Sequence, residues 1–281
     1  MTLVLTPTSV EEAVALLAEH DEAMPISGGA TLVAMRNASL VTPSHLVSLH
    51  MIPELHGITR TKAGGVRIGA MARHCETAAC ADLTGTLFVL RRAASMIANR
   101  VVRNMGTMGG SVANADPAAD YLPALSCCDA VLSVAGPDGT RELSIHDYIE
   151  DWYETALEDG EIITAITLPA PQTAASGYHK IARVSGDFAT ASCAMALDPE
   201  GTGLRVAIGA CGPGPIRDRD GEAALRGKLD DPAAVAEFAG RLVALADPVD
   251  DVRGSAEYRL RLIPRLVTSS LVELTKQKEL A

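Results

Sequence analysis

The six cysteines of this 281-residue chain (Cys75, Cys80, Cys127, Cys128, Cys193 and Cys211) include no CxxC pair, and none of their spacings suits zinc or an iron-sulfur cluster. They read as small buried apolar residues. The seven histidines form no HExxH motif and no close pairing with carboxylates, so a histidine metal centre has no support. No segment reaches the roughly 18 uninterrupted apolar residues of a membrane span. The start lacks a basic region leading into a long apolar run, and a soluble cytoplasmic protein is the expectation. Positive charge is scarce: 24 Lys and Arg against 35 Asp and Glu leave a net charge of -11, which argues against a nucleic-acid surface. GxGxxG, GxxxxGK(S/T) and GxSxG are all missing, which removes the Rossmann dinucleotide site, the Walker phosphate site and the α/β-hydrolase elbow. There is no internal repeat, no low-complexity tail, and no carboxylate pair suited to glycoside hydrolysis.

What is present is a globular composition, 48% apolar and 21% charged, in a chain long enough for two compact units. Leu3 to Leu5 reads as a strand. Val10, Ala13, Val14 and Leu17 follow a helical i, i+3, i+4, i+7 pattern, with Ser9 and Glu12 as a capping box. "AMPISGGATLVAMRNASL" reads as a strand, a glycine turn and a helix, and "LTGTLFVLRRAASMIANRVVRN" as one strong helix. A hairpin is expected through Pro137, Asp138 and Gly139. "EIITAITLPAPQTAASGY" closes a strand with two prolines and small residues and is the best domain boundary. Beyond it, strands precede helices, which favours an α+β layer. The last helix carries a stripe of Leu262, Ile263, Leu266, Val267, Ser270, Leu271 and Leu274, is capped by Ser255, and is expected to be interrupted and bent at Pro264.

Two glycine pairs stand out, Gly28-Gly29 and Gly109-Gly110, each flanked by hydroxyls: Ser27 and Thr31, then Thr107 and Ser111. Glycine lets backbone amides approach a ligand closely, and successive amides form a concavity suited to phosphate oxygens. Taken alone, each pair reads first as a plain tight turn, because glycine's commonest use is punctuation.

"PISGGATLVAMRN" and "VRNMGTMGGSVANADPAADYLPAL" resemble the two signature segments of the FAD-binding medium subunit of molybdenum hydroxylases, the xanthine dehydrogenase and carbon monoxide dehydrogenase group. "EIITAITLP", "YHKIARVSGDFA", "GPGPIRDRDGEAAL" and "DDVRGSAEYRLRLIPRLV" extend the resemblance in the family order over most of the chain. It implies an α+β architecture: a two-subdomain FAD-binding domain of the vanillyl-alcohol oxidase and p-cresol methylhydroxylase type over residues 1–174, split near residue 57, then a small α+β C-terminal domain over 175–281. Carried over by position, Ser27, Gly28, Gly29, Ala30 and Thr31 form one pyrophosphate loop, and Thr107, Met108, Gly109, Gly110 and Ser111 the other, with their N–H groups holding the pyrophosphate. Asp120 matches a hydrogen-bonding partner of the cofactor, Ile163 an aliphatic residue near the adenine or flavin, and Lys180 a basic residue approaching the flavin ring. Asp116 and Asp120 also suit a plainer role capping the turn around Pro117. Ala30 and Met105 depart from the polar residue and the arginine common at those points of the family.

The resemblance further implies an electron-transfer subunit whose FAD collects electrons from two [2Fe-2S] clusters of a small partner subunit, while a large partner carries molybdopterin, in a heterotrimer or a dimer of heterotrimers. The alternatives are a stand-alone flavin oxidoreductase acting on a small substrate and a non-catalytic phosphate- or nucleotide-binding module.

Overall fold

The structure, a computed structural model, describes residues 2–279. The N-terminal lobe alternates strand and helix: β1 (Leu3–Leu5), α1 (Val10–Glu19), β2 (Met24–Ile26), α2 (Leu32–Asn37) and β3 (His45–Ser48). The strands form a parallel sheet in the order β1-β3-β2, and α1 buries Ala13 and Val14 against Val47, Leu49 and Ile52. Ser9 Oγ accepts from the Glu12 amide at 3.1 Å as expected of a cap. The Glu12 carboxylate reaches one residue further back, to the Thr8 amide at 2.7 Å.

The middle lobe comprises β4 (Ile58–Arg60), β5 (Val66–Gly69), α3 (His74–Ala79), α4 (Phe88–Met96), α5 (Arg100–Met105), α6 (Met108–Asn114), α7 (Tyr121–Cys127), β6 (Val131–Gly136), β7 (Gly139–Ser144), β8 (Ile149–Asp151), β9 (Glu154–Thr155) and β10 (Ile162–Leu168). Five of its strands make an antiparallel sheet, β4-β5-β10-β6-β7, and β6 turns into β7 through Pro137 and Asp138 with Gly139 at φ 117°. The run expected as one helix is two. After α4 the chain breaks at Ile97–Asn99, where Ala98 takes φ 41°, and α5 restarts with Asn99 Oδ1 accepting from the Val102 amide at 3.0 Å. Arg103 donates to the carbonyls of Ile97 and Ala98 at 2.7 and 2.9 Å. Local cap chemistry thus overrides a continuous apolar pattern.

The C-terminal lobe is an antiparallel meander, β11 (Ser176–Ile181), β12 (Ala191–Leu197) and β13 (Leu204–Gly209), followed by α8 (Arg219–Leu225), α9 (Pro232–Leu245) and α10 (Ala256–Glu279). Every residue of β12 is buried, and its two faces serve different cores. Ala194 and Ala196 join the middle-lobe core, whereas Cys193, Met195 and Leu197 pack with α9 and α10. The predicted stripe of α10 is buried from Leu262 to Leu274, and Ser255 Oγ accepts from the Tyr258 amide at 3.2 Å. Contrary to the expected interruption, α10 runs unbroken through Pro264. Burial of aliphatic side chains on both sides offsets the one backbone hydrogen bond that proline removes. Cys128, Cys193 and Cys211 lie in these cores, and burial pushes their thiols up to about 12.

Candidate functional site

A cavity of about 510 Å³ lies where all three lobes meet, within the ~300–1,000 Å³ usual for cofactor clefts. The N-terminal lobe contributes the segment from Met24 to Leu32, the middle lobe Gly106, Thr107, Gly109, Gly110 and Ser111, and the C-terminal lobe Gly186, Asp187 and Phe188. Of the thirteen residues singled out by sequence, Ser27, Gly28, Gly29, Ala30, Thr31, Thr107, Gly109, Gly110, Ser111, Asp120 and Ile163 line it. Met108 is fully buried behind the wall, and Lys180 does not line the cavity.

The two glycine loops touch, and glycine is what lets them. A Cβ on Gly28 would fall 1.9 Å from the Met105 carbonyl oxygen, and one on Gly110 would fall 2.5 Å from Ser27 Oγ. Thr107 Oγ1 and Ser27 Oγ are hydrogen-bonded across the contact at 3.0 Å. The loops differ in what their amides do. In the second, the Met108 amide donates to Ala72 O and the Gly109 amide to Ala70 O, both at 2.9 Å. The Gly110 amide goes to Thr107 Oγ1 at 3.2 Å and the Ser111 amide to Thr107 O at 3.0 Å. In the first loop the amides of Gly28, Gly29, Ala30 and Thr31 have no protein acceptor among the described residues. Open donors on the cavity wall therefore come mainly from the first loop and from the hydroxyls, and the second loop serves as the socket against which the first is set.

Asp116 performs the plain capping role, its Oδ1 accepting from the Ala118 amide at 2.9 Å across Pro117. Asp120 does not cap. Its carboxylate accepts from Tyr178 OH at 2.7 Å and from Lys180 Nζ at 3.0 Å. Lys180 spends its other two donors on the carbonyls of Met96 and Asp187, each at 3.0 Å. The Lys180 and Asp120 side chains are 3% and 6% exposed. Burial pushes the Asp120 carboxyl above its usual range, against the opposing pull of the Lys180 charge and the Tyr178 hydroxyl. Lys180 thus joins two segments that line the cavity, the one after Met96 and the one around Asp187, to a carboxylate between them. At the position where the resemblance implies a basic residue approaching the flavin ring, its three donors all go to protein acceptors and brace the wall.

Ile163 sits at a β-bulge of β10 against β6, between Ile163 and Ala165, while on the other edge the Ala70 amide continues the β5 register by donating to Thr164 O at 3.0 Å. Phe188 forms the outer wall, with the Arg253 guanidinium 5.1 Å from its ring centre. Ala98 and Gly186 meet beside it: a Cβ on Gly186 would lie 2.5 Å from the Ala98 carbonyl oxygen. Residues that sequence reasoning passed over include His74, Ile97, Ala98, Gly106 and Gly186 to Phe188, all on the wall. A lone histidine at a helix start and a glycine three residues before a GG pair carry no signal in one sequence.

The comparisons agree with this layout. The model of the FAD binding domain in molybdopterin dehydrogenase matches residues 1–171, and that of the CO dehydrogenase flavoprotein C-terminal domain matches 176–274. This chain belongs to that family of FAD-binding medium subunits of molybdenum hydroxylases, and it is a subunit of an oxidoreductase. It is 35% identical to the carbon monoxide dehydrogenase medium chain of Hydrogenophaga pseudoflava, over 94% of each chain. It is 30% identical to the xanthine dehydrogenase FAD-binding subunit of Escherichia coli O157:H7, over 94% of this chain and 93% of the relative. Among solved structures it superposes on a chain of the Cu,Mo-CO dehydrogenase in its cyanide-inactivated form with a TM-score of 0.93 at 33% identity, covering 99% and 98% of the two chains. Quinoline 2-oxidoreductase from Pseudomonas putida 86 gives a TM-score of 0.91 at 28% identity, covering 99% and 98%. No helix among the described residues is long and apolar enough to cross a membrane.

Proposed function

We propose that this chain is the electron-transfer subunit of a molybdenum hydroxylase, receiving electrons from [2Fe-2S] clusters of a small partner subunit and delivering them to an external acceptor, while a large molybdopterin subunit carries out the hydroxylation. The observation that carries the reading is the contact between the glycine loops, which opens a row of unpaired amides onto a cavity of cofactor size. The same reading divides the chain into a flavin domain over 1–174, split near residue 57, and a C-terminal domain over 175–281.

FAD supplies the redox chemistry, exchanging electrons one or two at a time. The chain's residues bind, orient and shield it. The amides of Gly28 to Thr31 and the hydroxyls of Ser27, Thr107 and Ser111 are the donors suited to the pyrophosphate, on loops that Gly28 and Gly110 allow to pack against each other. Ile162 and Ile163 are buried apolar residues of the cavity wall that would shield the rings of a bound FAD from water. The Lys180 strut fixes the distance between the segment after Met96 and the Asp187 loop, and so the width of the cleft.

The test is purification of the tagged chain from its native host. Flavin absorbance together with two further subunits, one carrying iron and sulfide and one molybdenum, is the expected result. A flavin-loaded chain that stays alone and turns over a small substrate indicates the stand-alone oxidoreductase, and a colourless chain that cannot be reconstituted with FAD in the presence of its partners overturns the flavin reading.

A further inference from the structure

One polar side chain of the cavity wall has no role so far. His74, at the first position of α3, is 5% exposed and lines the cavity. Its Nδ1 is hydrogen-bonded to Tyr121 OH at 3.1 Å, and the two rings meet edge to face with centroids 5.3 Å apart. Its backbone amide donates to Gly106 O at 3.0 Å, which fixes the helix start against the second glycine loop. Nε2 has no hydrogen-bond partner among the described residues, and it is not among their fully enclosed orphan atoms. It therefore opens on the cavity. Glycine at 106 is what leaves it uncovered: a Cβ there would lie 2.5 Å from Nε2.

A polar atom on the wall of a cofactor-sized cavity, with no protein partner, takes its partner from what fills the cavity. A ring anchored at one nitrogen, with the other bare and a glycine set beside it, is arranged for a ligand that supplies the missing partner. We propose that His74 is a cofactor-contacting residue whose Nε2 hydrogen-bonds a polar atom of the FAD in the cavity, with Tyr121 fixing the orientation of the ring. Burial, with the Arg103 charge adding to it, lowers the histidine to about 4, so at neutral pH the contact is that of a neutral imidazole. The inference rests on the FAD reading above.

Two amide substitutions separate the two nitrogens. In His74→Gln the side-chain amide reaches the position of Nε2, and in His74→Asn it reaches only that of Nδ1. In the assembled complex, depleted of flavin and titrated with FAD, His74→Gln is expected to stay within about threefold of the native Kd, and His74→Asn to weaken it about tenfold. A purely structural tether to Tyr121 predicts the opposite order, and that order, or equal affinity of all three proteins, overturns the assignment. Should either variant fail to fold, the native complex carries the test: with 15N-labelled histidine, FAD is expected to shift the His74 Nε2 resonance more than that of Nδ1. An Nε2 resonance unmoved by saturating FAD overturns the assignment. A native complex that takes up no FAD at all is the distinct outcome that removes the FAD reading itself.

Discussion

The two glycine pairs look alike in the sequence and do different things in the fold. Gly28-Gly29 lies half-exposed at the end of a parallel strand with its amides open, whereas Gly109 lies buried at the start of α6 with every neighbouring amide bound to protein. The first presents donors and the second builds the floor. A GG pair therefore states that backbones approach closely, and only the partner of that approach decides between a binding loop and a packing joint.

The largest effect expected probes what lies behind the second loop. His74 is lowered to about 4 in the fold and titrates near 6.5 when unfolded, so the unfolded chain takes up a proton that the folded chain refuses in between. Its contribution is complete above pH 6.5 and is lost as pH falls towards 4. Native protein should lose roughly 3 kcal/mol over that interval relative to His74→Gln, read as the difference between their urea-unfolding free energies at each pH. Parallel curves would show that the histidine is not held neutral.

Gly109→Val sharpens the contrast between the loops. Its Cβ would lie 2.5 Å from Ala70 Cβ and 2.9 Å from Ala70 backbone atoms, so the floor must move, at a cost of about 2–3 kcal/mol in thermal or denaturant unfolding, with loss of bound flavin. The C-terminal core, built on β12, α9 and α10, should keep its amide protection. Gly29→Ala, a φ 69° position on the open loop, should cost only about 1 kcal/mol. Equal costs for the two would break the distinction. Thr107→Val removes both the cap on Gly110 and the bond to Ser27, for about 1 kcal/mol. The smallest effect is the coupling between the loops. A double-mutant cycle of Ser27→Ala with Thr107→Val should leave an interaction term of about 0.5 kcal/mol, and strict additivity would mean that the loops fold independently.

Much of the fold was legible because periodicity and caps are local. The β6–β7 hairpin, the caps at Ser9 and Ser255 and the stripe on α10 each depend on residues a few positions apart. The split between α4 and α5 was missed because Asn99, Ala98 and Arg103 form a stop-and-restart whose carbonyl partners are visible only in space. At the site, the resemblance pointed to the loops and to Asp120. It placed Lys180 towards the cofactor, whereas the fold spends all three of its donors on Asp120, Met96 and Asp187.

By itself the sequence determined the order of elements, the absence of the familiar nucleotide and metal templates, and two places where backbones must come close, because these follow from side-chain size, charge and spacing along the chain. Tertiary structure decided which amides remain free, which carboxylate caps and which is clamped, and that a lone histidine turns one bare nitrogen to the cavity. Those outcomes depend on acceptors and neighbours tens of residues away, and hydrogen bonds are allotted only once the lobes have packed.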